Sequence, residues 1–194
     1  MIRAIFYVLA AVLATCSVCH ASEIHRVVTG LDANDRSTTL FDNVEPLHAG
    51  ASGIPSYNIW RTDSYPVGFS FTEDLGLKQK GLVPPDNGTS FRVVEFPPVS
   101  DAALAKMDVN LTMKIVGDKA PTRGAPVSNP LMHRTRTVDY AIVMSGEIDM
   151  MLDDKTVHLK AGDVVVQQAT NHAWLNHGTE PCRIIFVFLD SKQP

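Results

Sequence analysis

His133, Thr135, Thr137 and Asp139 are spaced two apart, and the same spacing recurs at His172, Trp174 and Asn176. In an extended strand, residues two apart share a face. The first set therefore lines one face, while Met132, Arg134, Arg136, Val138 and Tyr140 take the other. If both polar faces turn into one barrel, His133, Asp139 and His172 converge. Two imidazoles and a carboxylate hold Fe(II) while leaving positions open for substrate or oxygen, and they also suit Mn, Ni, Cu or Zn. The expected cofactor is thus a divalent transition metal whose identity the donor set does not choose. Thr135, Thr137, Trp174 and Asn176 are expected to line the pocket around it. The alternative is a metal-free protein that keeps His133 and His172 as hydrogen-bonded pocket residues.

Strands must position these side chains. From Leu131 onward the chain reads as Met132–Met144, Glu147–Leu152, Thr156–Lys160, Val164–Gln168, His172–Asn176 and Arg183–Leu189. Ser145-Gly146, Asp153-Asp154-Lys155, Ala161-Gly162, Ala169-Thr170 and Gly178 to Pro181 break them. Short strands at regular spacing with turn residues between them predict an antiparallel sandwich or barrel. Earlier, residues 24–43 read as a hairpin turning at Asp32 to Asp35, and residues 44–58 read as loop. Ile59–Thr62 is a short strand, residues 72–90 are loop, and Phe91–Phe96 is a strand stopped by Pro97-Pro98. Ala102–Val109 is the one helix expected, and residues 117–130 are a loop.

The motif region resembles the cupins. Their first motif carries His-x-His, three or four residues, Glu, six residues, Gly. Here it reads His133-Arg134-Thr135-Arg136-Thr137-Val138-Asp139 with Gly146 six residues on, so Thr135 replaces the second His and Asp139 the Glu. The second motif runs Gly, five residues, Pro-x-Gly, two residues, His, three residues, Asn. From Gly162 this chain is one residue short, with Gln167 for Pro and Ala169 for Gly, yet His172 and Asn176 fall in place. The resemblance implies an all-β fold: one cupin barrel, a double-stranded β-helix or jelly roll. Residues 24–130 would be a strand-and-loop extension, and residues 131–190 would be the core with both motifs. It also implies His133, Asp139 and His172 as the ligands of a metal. His-Arg-Thr-x-Thr-Val-Asp-Tyr and Asn-His-Ala-Trp look like a subgroup of small cupins described as cupin-domain oxidoreductases.

At the amino terminus, Met1-Ile2-Arg3 is a short basic start, and Ala4 to Cys19 is mostly apolar without charge. Cys19-His20-Ala21 then offers small residues before Ser22. That order describes a secretory signal peptide over residues 1–21, so a secreted or periplasmic protein spanning residues 22–194 is expected. Lipoprotein anchoring at Cys16 is the minor option. Asn87-Gly88-Thr89 and Asn110-Leu111-Thr112 fit the glycosylation sequon of a eukaryotic host.

With 17 Lys and Arg against 21 Asp and Glu in 194 residues, the chain lacks the basic footprint of a nucleic-acid binder. Three Cys do not make a disulfide scaffold. Cleavage would leave only Cys182, expected to be a buried small hydrophobe. His158 is expected to be solvated, and Arg134 and Arg136 to meet a partner subunit in a homodimer. The function expected is a small exported metal-dependent enzyme, of oxidoreductase or Lewis-acid type, acting on a small organic molecule. A non-catalytic cupin that binds a sugar or aromatic ligand is the alternative.

Overall fold

A computed structural model describes residues 22–50, 53–108 and 129–192. The expected signal peptide, the second sequon and most of the expected loop at 117–130 lie outside these residues.

Eleven strands and one helical turn of α type run along the described chain: β1 (Glu23–Leu31), β2 (Ser37–Pro46), β3 (His48–Ala49), β4 (Pro55–Thr62), β5 (Thr89–Phe96), α1 (Asp101–Leu104), β6 (Thr137–Ser145), β7 (Glu147–Met151), β8 (Thr156–Lys160), β9 (Val164–Gln168), β10 (Ala173–Leu175) and β11 (Cys182–Asp190). The fold is all-β, as expected. A six-stranded sheet has the order β3-β4-β5-β11-β6-β9, a three-stranded sheet the order β10-β7-β8, and β1 pairs with β2 alone. Every pairing is antiparallel.

Alternation along the central strands explains the core. On β11 the inward residues Cys182, Ile184, Phe186 and Phe188 are all nearly inaccessible. They pack with Val94 of β5, Ala141 and Val143 of β6, Ile148 and Met150 of β7, Leu159 of β8 and Trp174 of β10. The two larger sheets thus share one apolar interior. On the opposite face of β5, Val93 packs with Leu47 and Tyr57 beneath the first hairpin. Arg26 of that hairpin is buried and ion-paired to Asp74 at 2.5 Å, which fastens β1 to the long loop before β5.

Several element limits differ from expectation. The strand expected from Met132 begins at Thr137, because the preceding residues have a different partner. His133 and His172 exchange two backbone hydrogen bonds of 2.9 Å as an isolated bridge. Met132 meanwhile buries its side chain with Leu104, Ala173 and Leu175 in a second apolar cluster. The expected helix at Ala102–Val109 is a single turn, Asp101–Leu104, capped by the Ser100 hydroxyl. The strand expected at Ile59–Thr62 starts earlier, at Pro55, within the stretch expected to be loop. Arg134 and Arg136 make contacts inside the chain. Arg134 donates to the Ala169 carbonyl, and Arg136 pairs with Asp190 at 2.9 Å and Asp86 at 3.2 Å.

Asn176 was expected in the pocket and is instead a structural clip. Its amide nitrogen donates to the carbonyls of Phe96 and Glu180 at 2.8 Å each, and its Oδ1 accepts from the Gly178 N–H at 2.9 Å. The residue is 1% exposed, so removing its side chain strands buried backbone groups. Asn176→Ala should therefore destabilise the protein by about 2–4 kcal/mol in urea titration, the usual cost of a few buried unsatisfied groups. A loss below about 0.5 kcal/mol, the net worth of one weak hydrogen bond, would contradict this role.

Candidate active site

The inner face of β6 and the two histidine-bearing segments meet at one cavity of about 130 Å³. A volume of this size suits several waters or one small organic molecule. Its walls are mainly apolar, and His133, Thr135, Asp139, His172 and Trp174 all line it. The parity argument therefore brings five of its seven residues to one place. Thr137 is buried beside them but does not line the cavity. Its hydroxyl bonds that of Thr135 at 2.7 Å, which explains why a threonine stands where the resemblance expects a histidine: both hydroxyls are satisfied internally. Trp174 packs against His172, Phe96 and Phe186 and forms part of the wall.

The imidazoles have defined protonation. Nδ1 of His133 lies 2.9 Å from the Leu131 carbonyl, and Nδ1 of His172 lies 3.0 Å from that of Thr170. A carbonyl only accepts, so each Nδ1 carries a hydrogen and each Nε2 presents a lone pair. Burial keeps both rings neutral, pushing His133 below the usual histidine range. His172 is pushed well below it, by burial and by its neighbour His133. The ring centroids are 4.2 Å apart.

Gln167 completes the site and was not foreseen as part of it. Directly across from Asp139 in the β6–β9 pairing, its amide nitrogen donates to Asp139 Oδ2 at 3.0 Å. The same nitrogen lies 3.1 Å from His172 Nε2, whose lone pair accepts its second hydrogen. Asp139 is 2% exposed, and burial raises its pKa to about 7, against the hydrogen bonds from Thr137 and Gln167. Its Oδ1 has no hydrogen-bond partner among the described residues.

This arrangement bears on the expected metal. A cation needs the lone pairs of its ligands on one point, at roughly 2.0–2.2 Å for imidazole and carboxylate. Here an N–H donor lies between Asp139 and His172 and engages both, and Thr135 spends its hydroxyl on Thr137. Among the described residues no group of three His, Cys, Asp or Glu side chains is placed to share an ion. The donor set as folded does not fit a metal, since the shorter Asp139 is spanned to His172 by an amide.

Two polar cavity residues come from the first half of the chain, which carried no motif. Ser56 of β4 and Arg92 of β5 line the cavity, and Arg92 Nη2 donates to Ser56 Oγ at 2.6 Å. The available signal was parity: Arg92 alternates with Val94 and Phe96, a charge on an apolar face. Elsewhere, Cys182 is fully buried and its thiol is pushed up to about 11 by burial. His158 is exposed and bonds Asp149 at 2.8 Å.

The sequence model of the Cupin domain matches residues 123–188. Residues 123–188 thus carry a cupin domain. Phomopsin biosynthesis cluster protein D of Diaporthe leptostromiformis is 48% identical over 69 residues, 34% of this chain and 36% of that protein. The matched stretch thus spans about a third of that relative's length. A cupin-domain-containing oxidoreductase of Neurospora crassa, srdD, is 43% identical over 75 residues, 36% of this chain and 37% of that protein. Over a longer span, the cupin-domain-containing oxidoreductase fogC of Aspergillus ruber is 29% identical across 178 residues, 87% of this chain and 73% of that protein. Among solved structures, a cupin 2 conserved barrel domain protein of Salinispora arenicola is similar at a TM-score of 0.39 and 12% identity. That match covers 74% of this chain and 81% of the other.

The cupin's buried acid makes stability depend on pH. The folded pKa of Asp139 lies above its ordinary value of 3.8, so the folded state binds the extra proton between about pH 4 and pH 7. Its contribution to stability is full below pH 4 and is lost as pH rises through 7. The two imidazoles act in the opposite sense below their ordinary value, so the comparison with a variant isolates Asp139. Asp139→Asn should gain about 2–4 kcal/mol on the wild type between pH 4 and pH 8 in urea titrations, from a shift of about three units. Parallel stability curves would contradict the burial of an ionisable acid.

Proposed function

We propose that this cupin is an enzyme that moves protons on a small organic molecule held in the cavity. The observation that carries this reading is the free Nε2 lone pair of His133 beside the bonded chain Asp139–Gln167–His172. His133 Nε2 takes a proton from an acidic C–H or O–H of the bound molecule, and the imidazolium so formed is the base's product state. Asp139, when protonated, holds its proton at a carboxyl oxygen and returns one to the substrate's developing oxyanion. His172, kept neutral and oriented by Thr170 and Gln167, fixes the acid through the shared amide. The electron pair stays within the substrate, so the product is a tautomer or internal redox isomer and no external oxidant is needed. Relatives named as cupin-domain-containing oxidoreductases support an enzyme over a passive binder.

A second reading is the metal-dependent oxidoreductase. The two inward Nε2 lone pairs favour it, and it requires the Gln167 amide to leave Asp139 and His172. His133, His172 and Asp139 would then hold a divalent transition metal, which would supply Lewis-acid or redox chemistry.

Deuterium exchange from D2O into small enolisable ketones, followed by NMR, separates the outcomes. The proton-transfer reading expects exchange by protein stripped with chelator, and a loss of about 100-fold or more in His133→Ala, the usual worth of a general base. Equal exchange by the variant would overturn it. Exchange that appears only after reloading with Fe, Mn, Ni, Cu or Zn, at stoichiometric metal content, would establish the second reading instead.

Export and homodimer formation are part of the same proposal. The basic and apolar order of residues 1–21 supports the first. The second draws support from β9, an edge strand among the described residues, which exposes Val164 and Val166. The secreted chain should begin at Ser22 by mass and run as a dimer in light scattering; an intact amino terminus or a monomer would contradict the respective part.

A further inference from the structure

Among the described residues Arg92 is a cation without an anion. It lines the cavity, and among the described residues the hydroxyl of Ser56 is the one hydrogen-bond partner of its guanidinium. Its Nε is sealed from solvent and unbonded. No carboxylate among the described residues pairs with it, and burial alone draws its pKa down to about 10. Arg26, buried beside the first hairpin, by contrast has Asp74 at 2.5 Å. Leaving one buried charge uncompensated is costly, and structures tolerate it where a ligand supplies the opposite charge.

The placement of Arg92 also gives the ligand a direction. Arg92 pairs with Phe186 of β11, and Phe188 of β11 pairs with Asp139 of β6. Two strand spacings separate the charged residue from the acid, roughly 10 Å across the sheet. Arg92 and Ser56 present N–H and O–H groups at one side, and His133 and Asp139 stand at the other. Between them the wall is aromatic, with Phe96, Trp174, Phe186 and Phe188.

We propose that the cavity takes a small aryl or alkenyl carboxylate, its anionic group on Arg92 and Ser56 and its apolar body against Phe96, Trp174 and Phe186. A single guanidinium matches one carboxylate in charge and can bind it bidentately, whereas a phosphate dianion would be left half neutralised in an apolar cavity. The proposal rests on the cavity being the ligand site, and holds whichever chemistry His133 and Asp139 perform.

Isothermal titration of the full chain with acetate, benzoate and trans-cinnamate, each against its primary amide, tests this. Benzoate or cinnamate should bind about tenfold or more tightly than its amide, as a charge-assisted pair requires. Arg92→Met should remove that preference and leave amide binding unchanged, and Arg92→Lys should restore part of it. The unliganded Arg92→Met protein should melt higher than wild type, because an unpaired charge has gone. Asp139→Asn should keep the preference, so failure of the proton-transfer reading leaves this result standing. No carboxylate binding, equal affinity for acid and amide, or a lower melting temperature in Arg92→Met would overturn it.

Discussion

Gln167 gives its amide hydrogens to two acceptors on different segments, Asp139 Oδ2 at 3.0 Å and His172 Nε2 at 3.1 Å. Both acceptors are buried, so each would be costly without a donor, and one amide satisfies both. The bond exists only because β9 pairs with β6 in a register that sets Gln167 opposite Asp139. A slip of one residue would turn Gln167 outward and leave the acid and the imidazole unsatisfied. The backbone bridge between His133 and His172 then holds the second imidazole against the first. Register, protonation state and ring placement are thus linked through a single side chain.

The departures from the cupin motifs depend on one another. An aspartate reaches less far than the glutamate of the motif, and the glutamine at the motif's proline position spans the resulting gap. Threonine at the second histidine position bonds a neighbouring threonine and needs no cation. Ala169 occupies a motif glycine position with φ of 49°, a left-handed conformation that suits glycine better. Its carbonyl accepts from Arg134, which holds the turn leading to His172. Of these changes, Thr135 removes a ligand a metal site would use, and each of the four residues makes an internal hydrogen bond.

Alternation along the chain was enough to predict the all-β fold, the inward face of β6 and the meeting of His133, Asp139 and His172 at one cavity. It failed where pairing rather than pattern decides. Met132 to Arg136 alternate like a strand, yet their partner is a single bridge, so the ladder starts only at Thr137. Parity assigns a face but not a depth, which is why Thr137 and Asn176 fell on the right side without reaching the cavity. Arg92 and Ser56 sit in segments without a motif. Only the β5–β11 and β4–β5 pairings bring them to the site. A charge in an otherwise apolar alternation was the visible sign of Arg92.

The cavity is consequently asymmetric, with a cation unpaired among the described residues on one wall, an acid of raised pKa and two neutral imidazoles on the other, and aromatic rings between. The proposed proton transfer depends on the Nδ1–H form of both histidines and on the Gln167 bond to His172. Two-dimensional NMR of the histidine ring nitrogens reports that state directly. The account predicts neutral Nδ1–H rings for His133 and His172 at pH 7, with His172 Nε2 shifted as a hydrogen-bond acceptor and both spectra unchanged by stoichiometric Zn. An Nε2–H form at either ring, or a zinc-induced shift of both Nε2 signals, would contradict it.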